Sequence, residues 1–112
     1  MTIRKTPYVD PTEISVDYYK VLAWQQARRM LEWRLPAGKF DRRHSHPNAL
    51  LYFVKGAKLQ FSYDDGSTEE QEYADGAVAA WDDVTHKVRN VGETDLYAII
   101  FEVMTIRSSA GG

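Results

Sequence analysis

Three histidines occur in the 112-residue sequence, His44, His46 and His86. The first two are separated by a single residue, and on a β-strand that spacing places both imidazoles on the same face of a sheet. The third lies forty residues beyond His46. If the sheet folds back on itself, three imidazoles from two strands would bind one divalent metal ion and leave its other coordination positions open. The alternative is that they are ordinary surface or core histidines.

The segments that must position these histidines have the patterns of strands. Residues 50–54 form a continuous apolar run, which predicts a strand buried on both faces. Residues 57–63 and 86–90 alternate between apolar and polar side chains, and Asp64-Asp65-Gly66 predicts a hairpin turn. Residues 96–104 predict a last, largely apolar strand. Many short strands divided by turn signals indicate an all-β sandwich or barrel.

The first third of the chain is less clear. Residues 1–17 are polar, contain two prolines and predict an extended N-terminal arm. The apolar residues between Tyr18 and Trp33 fit either one helical stripe or two short strands joined at residues 25–27. We expect a single domain at residues 18–105 and a flexible tail at residues 106–112.

The composition excludes several classes of function. A formal net charge of −2 gives no basic surface for nucleic acid or an acidic membrane. The absence of cysteine excludes disulfides, thiolate metal ligands and cysteine nucleophiles. The first residues lack the apolar stretch of a signal peptide, and no apolar run is long enough to span a membrane. We expect a cytoplasmic protein whose partner is a small molecule.

The residues around the histidines resemble the two motifs of the small cupins. The first motif, G-x5-H-x-H-x3,4-E-x6-G, is matched by Gly38, His44, His46 and Gly56. The second motif, roughly G-x5-P-x-G-x1,2-H-x3-N, is matched by Gly76, His86 and Asn90. The resemblance covers about residues 18–104. It implies an all-β double-stranded β-helix, or jelly-roll barrel, and it favours strands over a helix at residues 18–33.

Two departures from the motifs affect the expected metal site. The motif glutamate would fall at Leu50 counted from His46, or at Ala49 counted back from Gly56, and neither side chain can bind metal. Asp82-Asp83-Val84 replaces the Pro-x-Gly turn. What remains resembles the cupins that use three histidines and no carboxylate, among them several thiol and diketone dioxygenases. The missing glutamate is also compatible with a domain that no longer needs a metal.

The resemblance implies Fe(II) as the first choice of metal, but imidazole ligands alone would also accept Ni, Mn, Co, Cu or Zn. Three neutral imidazoles leave a divalent metal with about +2 of uncompensated charge. Such a site favours an anionic ligand with two oxygens, such as an enolate, a β-diketonate, or a hydroxy or keto acid. The first functional hypothesis is therefore dioxygenase-type cleavage of a carbon–carbon bond. The alternatives are a metal-dependent isomerase or lyase, and a binding module without turnover.

Residues near the histidines in sequence are candidates for a substrate pocket, although no catalytic acid or base is assigned. The guanidinium of Arg42 would suit a carboxylate substrate if it faced inward, and otherwise it is a surface arginine. Asp82 and Asp83 either orient an imidazole or act as a base, or they only form the turn. The pocket candidates are Phe40, Arg42, Leu51, Phe53, Gln60 and Trp81.

The apolar runs at residues 50–54 and 96–101 exceed what the interior of one small barrel needs. Strands that are apolar on both faces require a second covering layer, and the simplest supply is another subunit. We therefore expect a homodimer, formed as in many small cupins by exchange of N-terminal strands.

Overall fold

The computed structural model describes residues 8–104, so residues 1–7 of the predicted arm and the predicted tail lie outside the described residues. The elements within this range are α1 (Pro11–Ile14), β1 (Tyr19–Gln25), β2 (Arg28–Leu35), β3 (His44–His46), β4 (Asn48–Lys55), β5 (Lys58–Tyr63), β6 (Thr68–Glu72), β7 (Val78–Trp81), β8 (Val84–Asn90) and β9 (Leu96–Val103). The helix is a single turn in a segment that the sequence predicts as extended. Its N-cap is Asp10, whose carboxylate accepts a hydrogen bond from the backbone N–H of Thr12. No helix in the described range is long and apolar enough to cross a membrane.

The strands form two antiparallel sheets. The first has the order β1-β2-β9-β4-β7 and the second has the order β3-β8-β5-β6. Residues 18–33 form most of the β1–β2 hairpin, so the strand interpretation of this segment is confirmed. The predicted turn at Asp64-Asp65-Gly66 joins β5 to β6. β3 lies at the edge of the second sheet, where β8 is its only hydrogen-bonded neighbour within the described part of the chain.

Alternating side chains of both sheets fill the space between them. Every second residue of β2 and of β4 is buried. The largest fully buried apolar side chains, Trp33 and Phe53, come from these two strands. The fully buried apolar side chains include Leu31, Trp33, Leu35, Phe53, Leu59, Val88, Leu96, Ala98 and Ile100. Burial of this apolar surface is the main favourable contribution to folding.

The prediction that residues 50–54 are buried on both faces is wrong for a single chain. Leu51 and Phe53 point into the core, but Leu50 is 59% exposed and Tyr52 is 49% exposed. The physical reason is that these two side chains lie on the outer face of the five-stranded sheet. The second sheet packs only against the inner face.

Candidate metal site

The three histidines meet between the sheets. His44 and His86 are register partners in the β3–β8 ladder, and His46 follows two residues along β3. All three side chains are buried, and one nitrogen from each lies within 4.8 Å of the others. The strand spacing of two residues and the antiparallel pairing together produce this convergence.

Two of these imidazoles carry a nitrogen without a partner. Nε2 of His46 and Nε2 of His86 are buried and accept or donate no hydrogen bond; among the described side chains only Trp33 Nε1 shares that condition. A buried polar atom left unpaired costs about 1–3 kcal/mol. Buried imidazole nitrogens without hydrogen-bond partners, in three histidines that each bring one nitrogen within 4.8 Å of the others, fit the donor set of a metal ion.

His44 is oriented by its backbone surroundings. Its Nδ1 donates to the carbonyl oxygen of Arg42 at 2.6 Å, so its Nε2 keeps the lone pair. That Nε2 lies 3.2 Å from the hydroxyl of Tyr19. The Tyr19 hydroxyl donates its proton to Oδ2 of Asp41 at 2.8 Å, which leaves the His44 lone pair available.

His46 is oriented by a buried carboxylate. Its Nδ1 donates to Oε2 of Glu102 at 2.7 Å. Oε1 of Glu102 accepts from Nε of Arg29 at 2.6 Å, and the same guanidinium donates to both oxygens of Asp10. The side chains of Glu102 and Arg29 are buried, whereas Asp10 is partly exposed.

The electrostatic environment keeps His44 and His86 neutral. Burial, followed by the nearby His46, lowers the pKa of His44 to about 3. Burial and the two neighbouring imidazoles lower the pKa of His86 well below its usual value. Neutral imidazole is the form that binds metal, so these shifts favour binding at neutral pH.

Asp41 and Tyr19, which lie beside His44, have raised pKa values. Burial raises the pKa of Asp41 to about 7, although the Val88 backbone N–H and the Tyr19 hydroxyl partly offset this effect. Burial and the adjacent Asp41 raise the pKa of Tyr19 well above 10. Tyr19 therefore remains a hydrogen-bond donor throughout the physiological range.

A cavity of about 450 Å³ is lined by His86 and reaches the surface. Trp81 forms part of its wall, with its ring centroid 5.7 Å from that of His46 and 5.4 Å from that of His86. Other aromatic wall residues are Phe61, Tyr63 and Tyr73. Three carboxylates also line it, Glu69, Asp82 and Asp83, and the lining within the described residues includes no lysine or arginine.

The structure places the pocket candidates from the sequence in three groups. Trp81 contacts the histidines. Leu51 and Phe53 are buried in the core, and the Phe53 ring stacks on Tyr73 with centroids 4.1 Å apart. The side chains of the remaining candidates, Phe40, Arg42 and Gln60, do not line the cavity beside His86, although the backbone carbonyl of Arg42 contacts His44.

Phe40 and Arg42 face outward because the strand alternation is broken before β3, whereas Gln60 lies on β5. Arg42 is exposed, and its backbone N–H donates to the hydroxyl of Ser15. Phe40 is 60% exposed and forms an isolated bridge with Arg89. Gln60 is the register partner of Arg89 in β5–β8 and shares that outer surface. Asp41 points inward instead, because its carboxylate accepts a hydrogen bond from the backbone N–H of Val88.

Four site residues were missed by the sequence reasoning, namely Tyr19, Arg29, Asp41 and Glu102. The one available signal was Glu102, a single charge within the apolar strand at residues 96–104. Asn90, which matches the second motif, donates from its side chain to the carbonyl of Thr94 and accepts from the N–H of Gly92 in the following turn.

No protein-family profile and no curated protein matches this sequence. Solved structures do. A cupin domain from Bordetella pertussis Tohama I superposes with a TM-score of 0.70 at 18% identity, covering 91% of this chain and 99% of that one. An RmlC-like cupin family protein with a double-stranded β-helix fold, from Methanocaldococcus jannaschii, gives a TM-score of 0.62 at 15% identity, covering 77% of this chain and 78% of that one.

A third similar structure is a cupin-like protein from Thermotoga maritima, with a TM-score of 0.58 at 17% identity, covering 78% of this chain and 68% of that one. At these identities the likeness concerns the fold, and function must be argued from the site itself. The two facing antiparallel sheets agree with the fold of these proteins. The chain therefore has the cupin fold, a double-stranded β-helix.

Proposed function

We propose that this protein binds one divalent metal ion through His44, His46 and His86 and acts on a small substrate that binds through two oxygens. The observation that carries this proposal is the pair of buried, unpaired Nε2 atoms of His46 and His86. Both lie beside the third imidazole, whose lone pair is also on Nε2. A hydrogen-bonded core histidine would have no reason to leave such atoms unsatisfied.

When bound, the metal would polarise the substrate, and Fe(II) would in addition support reaction with dioxygen. Dioxygenase-type cleavage of a carbon–carbon bond is our first choice of reaction, with Fe(II) as the metal. With a redox-silent metal the same site would support isomerase or lyase chemistry. Three protein ligands leave the open positions that each of these reactions requires.

The lining of the cavity narrows the choice of substrate. Glu69 and Asp82 bring negative charge to the lining of the cavity, which includes no lysine or arginine among the described residues. A carboxylate substrate such as a keto acid would be repelled on approach. A β-diketone or another enolisable compound arrives neutral and becomes an anion only when it loses a proton at the site. The proposed substrate is therefore of this second kind.

The second candidate is a binding module without turnover. Four aromatic side chains line the cavity, Phe61, Tyr63, Tyr73 and Trp81. Such walls suit a flat small molecule and require no chemistry. This candidate predicts tight ligand binding with no consumption of the ligand or of oxygen.

The exposed outer face of the five-stranded sheet supports the proposal of a homodimer. Register pairing places Met30, Phe101, Leu50 and Ala80 in one row across four strands. The adjacent row contains Ile99, Tyr52 and Val78. A contiguous apolar surface of this kind is typical of an interface, and a second copy would supply the missing layer.

The experiment that tests the metal site is a measurement of metal content on untagged protein by plasma mass spectrometry. We expect about one divalent metal per chain in the wild type and none in the H44A/H86A variant. Lys87→Ala is the matched control, because Lys87 follows His86 on β8 but is exposed. A wild type that carries no metal and takes up none of Fe, Ni, Mn, Co, Cu or Zn would refute the proposal.

A measurement of oxygen uptake then distinguishes a dioxygenase from a binding module. The loaded protein is supplied with acetylacetone or with pyruvate, and oxygen consumption is recorded with an electrode. The proposal predicts uptake with acetylacetone and little with pyruvate. Binding of acetylacetone without its consumption would favour the binding module.

A further inference from the structure

We infer that Glu102 is the positioning carboxylate of the metal site, supplied from β9 in place of the glutamate that the first motif lacks on β4. The inference rests on the metal site of the proposed function and goes beyond it. Glu102 acts through His46: it fixes which nitrogen of that imidazole faces the metal, and it brings a negative charge to the site without occupying a coordination position.

The register of the first sheet places Glu102 beside the vacant motif position. Ala49, where the motif glutamate falls when counted back from Gly56, is the register partner of Glu102 in the β4–β9 ladder. Directly paired residues of an antiparallel ladder point to the same side of the sheet. Both are buried, with Ala49 4% exposed and Glu102 0% exposed. The small alanine side chain leaves space on that face.

Both oxygens of Glu102 already have partners. Oε2 accepts from His46 Nδ1 at 2.7 Å, and Oε1 accepts from Arg29 Nε at 2.6 Å. The Arg29 guanidinium, which Glu102 shares with Asp10, gives the buried carboxylate a counter-charge, since an ionised carboxylate without one would be costly in the core. The carboxylate is therefore held against Nδ1 of His46 rather than free to turn towards the metal.

Arg29 is itself anchored by the segment that precedes the barrel. Two of its nitrogens donate to Asp10, at 2.9 and 3.0 Å, and Asp10 is also the N-cap of α1. Asp10, Arg29, Glu102 and His46 thus form one continuous chain of charge-assisted hydrogen bonds. It connects the N-terminal segment to the histidine site.

The consequence for metal binding follows from the tautomer of His46. A carboxylate on Nδ1 keeps the proton on that nitrogen, leaves the lone pair on Nε2 and makes Nε2 more basic. Loss of such a partner typically lowers metal affinity about 10- to 100-fold. The negative charge of Glu102 also reduces the excess positive charge expected for a metal held by three imidazoles alone.

The first test is the metal affinity of Glu102→Gln, measured by calorimetric titration with Co²⁺ and Zn²⁺. Glutamine keeps the shape of the side chain but removes its charge, and we expect a 10- to 100-fold weaker Kd. Glu72→Gln is the matched control, because Glu72 is an exposed glutamate on β6 that does not line the cavity beside His86. An E102Q variant with wild-type affinity would overturn the inference.

E102Q leaves the buried Nε of Arg29 without its carboxylate, although Asp10 still binds the other two nitrogens, so a second variant separates positioning from folding. E102Q/R29M removes the guanidinium with its unpaired Nε, and we expect it to fold and to show the same loss of affinity. Recovery of wild-type affinity in this double variant would mean that E102Q acted only by disturbing the fold, and would refute a positioning role.

The second test needs no metal. Long-range ¹H–¹⁵N NMR spectra of chelator-treated protein report which nitrogen of His46 carries the proton. We expect the Nδ1–H form in the wild type and in E72Q, and a mixture of tautomers in Glu102→Ala. An unchanged Nδ1–H form in E102A would refute the positioning role. If the wild type bound no metal, the proposed function would fail, while this spectrum would still decide whether Glu102 sets the tautomer.

Relocation of the carboxylate gives the sharpest test. In A49E/E102A the glutamate moves across the ladder to the position that the motif predicts. We expect metal affinity to recover relative to E102A, because a carboxylate again reaches the site. Affinity no better than that of E102A would show that the pairing of Ala49 and Glu102 has no functional meaning.

Discussion

His44 and His86 face each other across the β3–β8 ladder, with ring centroids 5.0 Å apart and ring planes nearly perpendicular. Both side chains are buried, so a proton added to either ring would be poorly solvated and would repel the neighbouring imidazoles. The site therefore opposes protonation. This property makes the stability of the metal-free protein depend on pH.

The first prediction is that chelator-treated protein loses stability as the pH falls from 6 to 5. The unfolded chain binds protons at His44 and His86 below about pH 6.5, whereas the folded chain binds none there because both pKa values are lowered. Asp41 acts in the opposite sense, since its folded pKa of about 7 exceeds its unfolded value. In this window the unfolded chain binds one net proton more, so the free energy of unfolding falls by about 1.4 kcal/mol per pH unit.

Urea unfolding at pH 5 and pH 6 measures this slope. His86→Gln removes one of the two titrating imidazoles, and the remaining pair, His44 and Asp41, should then nearly cancel. We expect H86Q to show a flat profile between these pH values. A slope in H86Q equal to that of the wild type would contradict the assignment.

The second prediction concerns the Tyr19 hydroxyl. It donates to Oδ2 of Asp41 at 2.8 Å in the core, and Tyr19→Phe would leave that buried oxygen without its donor. We expect a loss of about 1–3 kcal/mol in the free energy of unfolding. Tyr52→Phe is the control, since Tyr52 is exposed and should change stability little. The combined Y19F/D41N variant should lose less free energy of unfolding than the two single variants lose together, because the two groups form one interaction.

Much of the fold was predictable from local patterns. The alternating patterns at residues 57–63 and 86–90 correspond to β5 and to most of β8. The turn at residues 64–66 joins β5 to β6. The spacing of His44 and His46 fixed their common face, because the side-chain period of a strand is two. These features depend on neighbours in sequence. Convergence with His86, forty residues away, was expected only on the condition that the sheet folds back on itself.

The support of the site was not predictable in this way. Glu102 reaches His46 across 56 residues of sequence and Arg29 across 73, so the contacts depend on the register of β9 against its neighbours. No local pattern encodes that register. The inward position of Asp41 depends on a backbone hydrogen bond with Val88, which breaks the alternation that would have placed Arg42 at the site.

The third prediction separates two motif glycines. A Cβ built on Gly56 would lie 1.9 Å from the carbonyl oxygen of Tyr73, so Gly56→Ala forces the backbone apart. We expect a loss of at least about 3 kcal/mol in the free energy of unfolding. Gly38 has a φ of +81° but open space around its Cβ position, so Gly38→Ala should cost only about 1–2 kcal/mol. Urea unfolding of both variants would contradict this account if G38A proved the less stable.

The last prediction concerns the outer face of the five-stranded sheet. Leu50 is 59% exposed and Val78 is 74% exposed, and both lie among the apolar rows proposed to bind a second copy. Light scattering coupled to size-exclusion chromatography should give a dimer for the wild type. Leu50→Lys/Val78→Lys should give a monomer, because a buried lysine at such an interface would be desolvated without a partner.

Phe40→Lys is the matched control for this surface. Phe40 is also an exposed apolar residue, at 60%, but it lies beside Arg89 on the second sheet. The variant should remain a dimer if the interface is the outer face of the first sheet. A monomeric F40K together with a dimeric L50K/V78K would move the interface to the second sheet, and a monomeric wild type would leave the exposed rows without the proposed partner. The histidines lie between the two sheets, whereas Leu50 and Val78 lie on the outer face of the five-stranded sheet. The L50K/V78K monomer should therefore still bind one metal per chain.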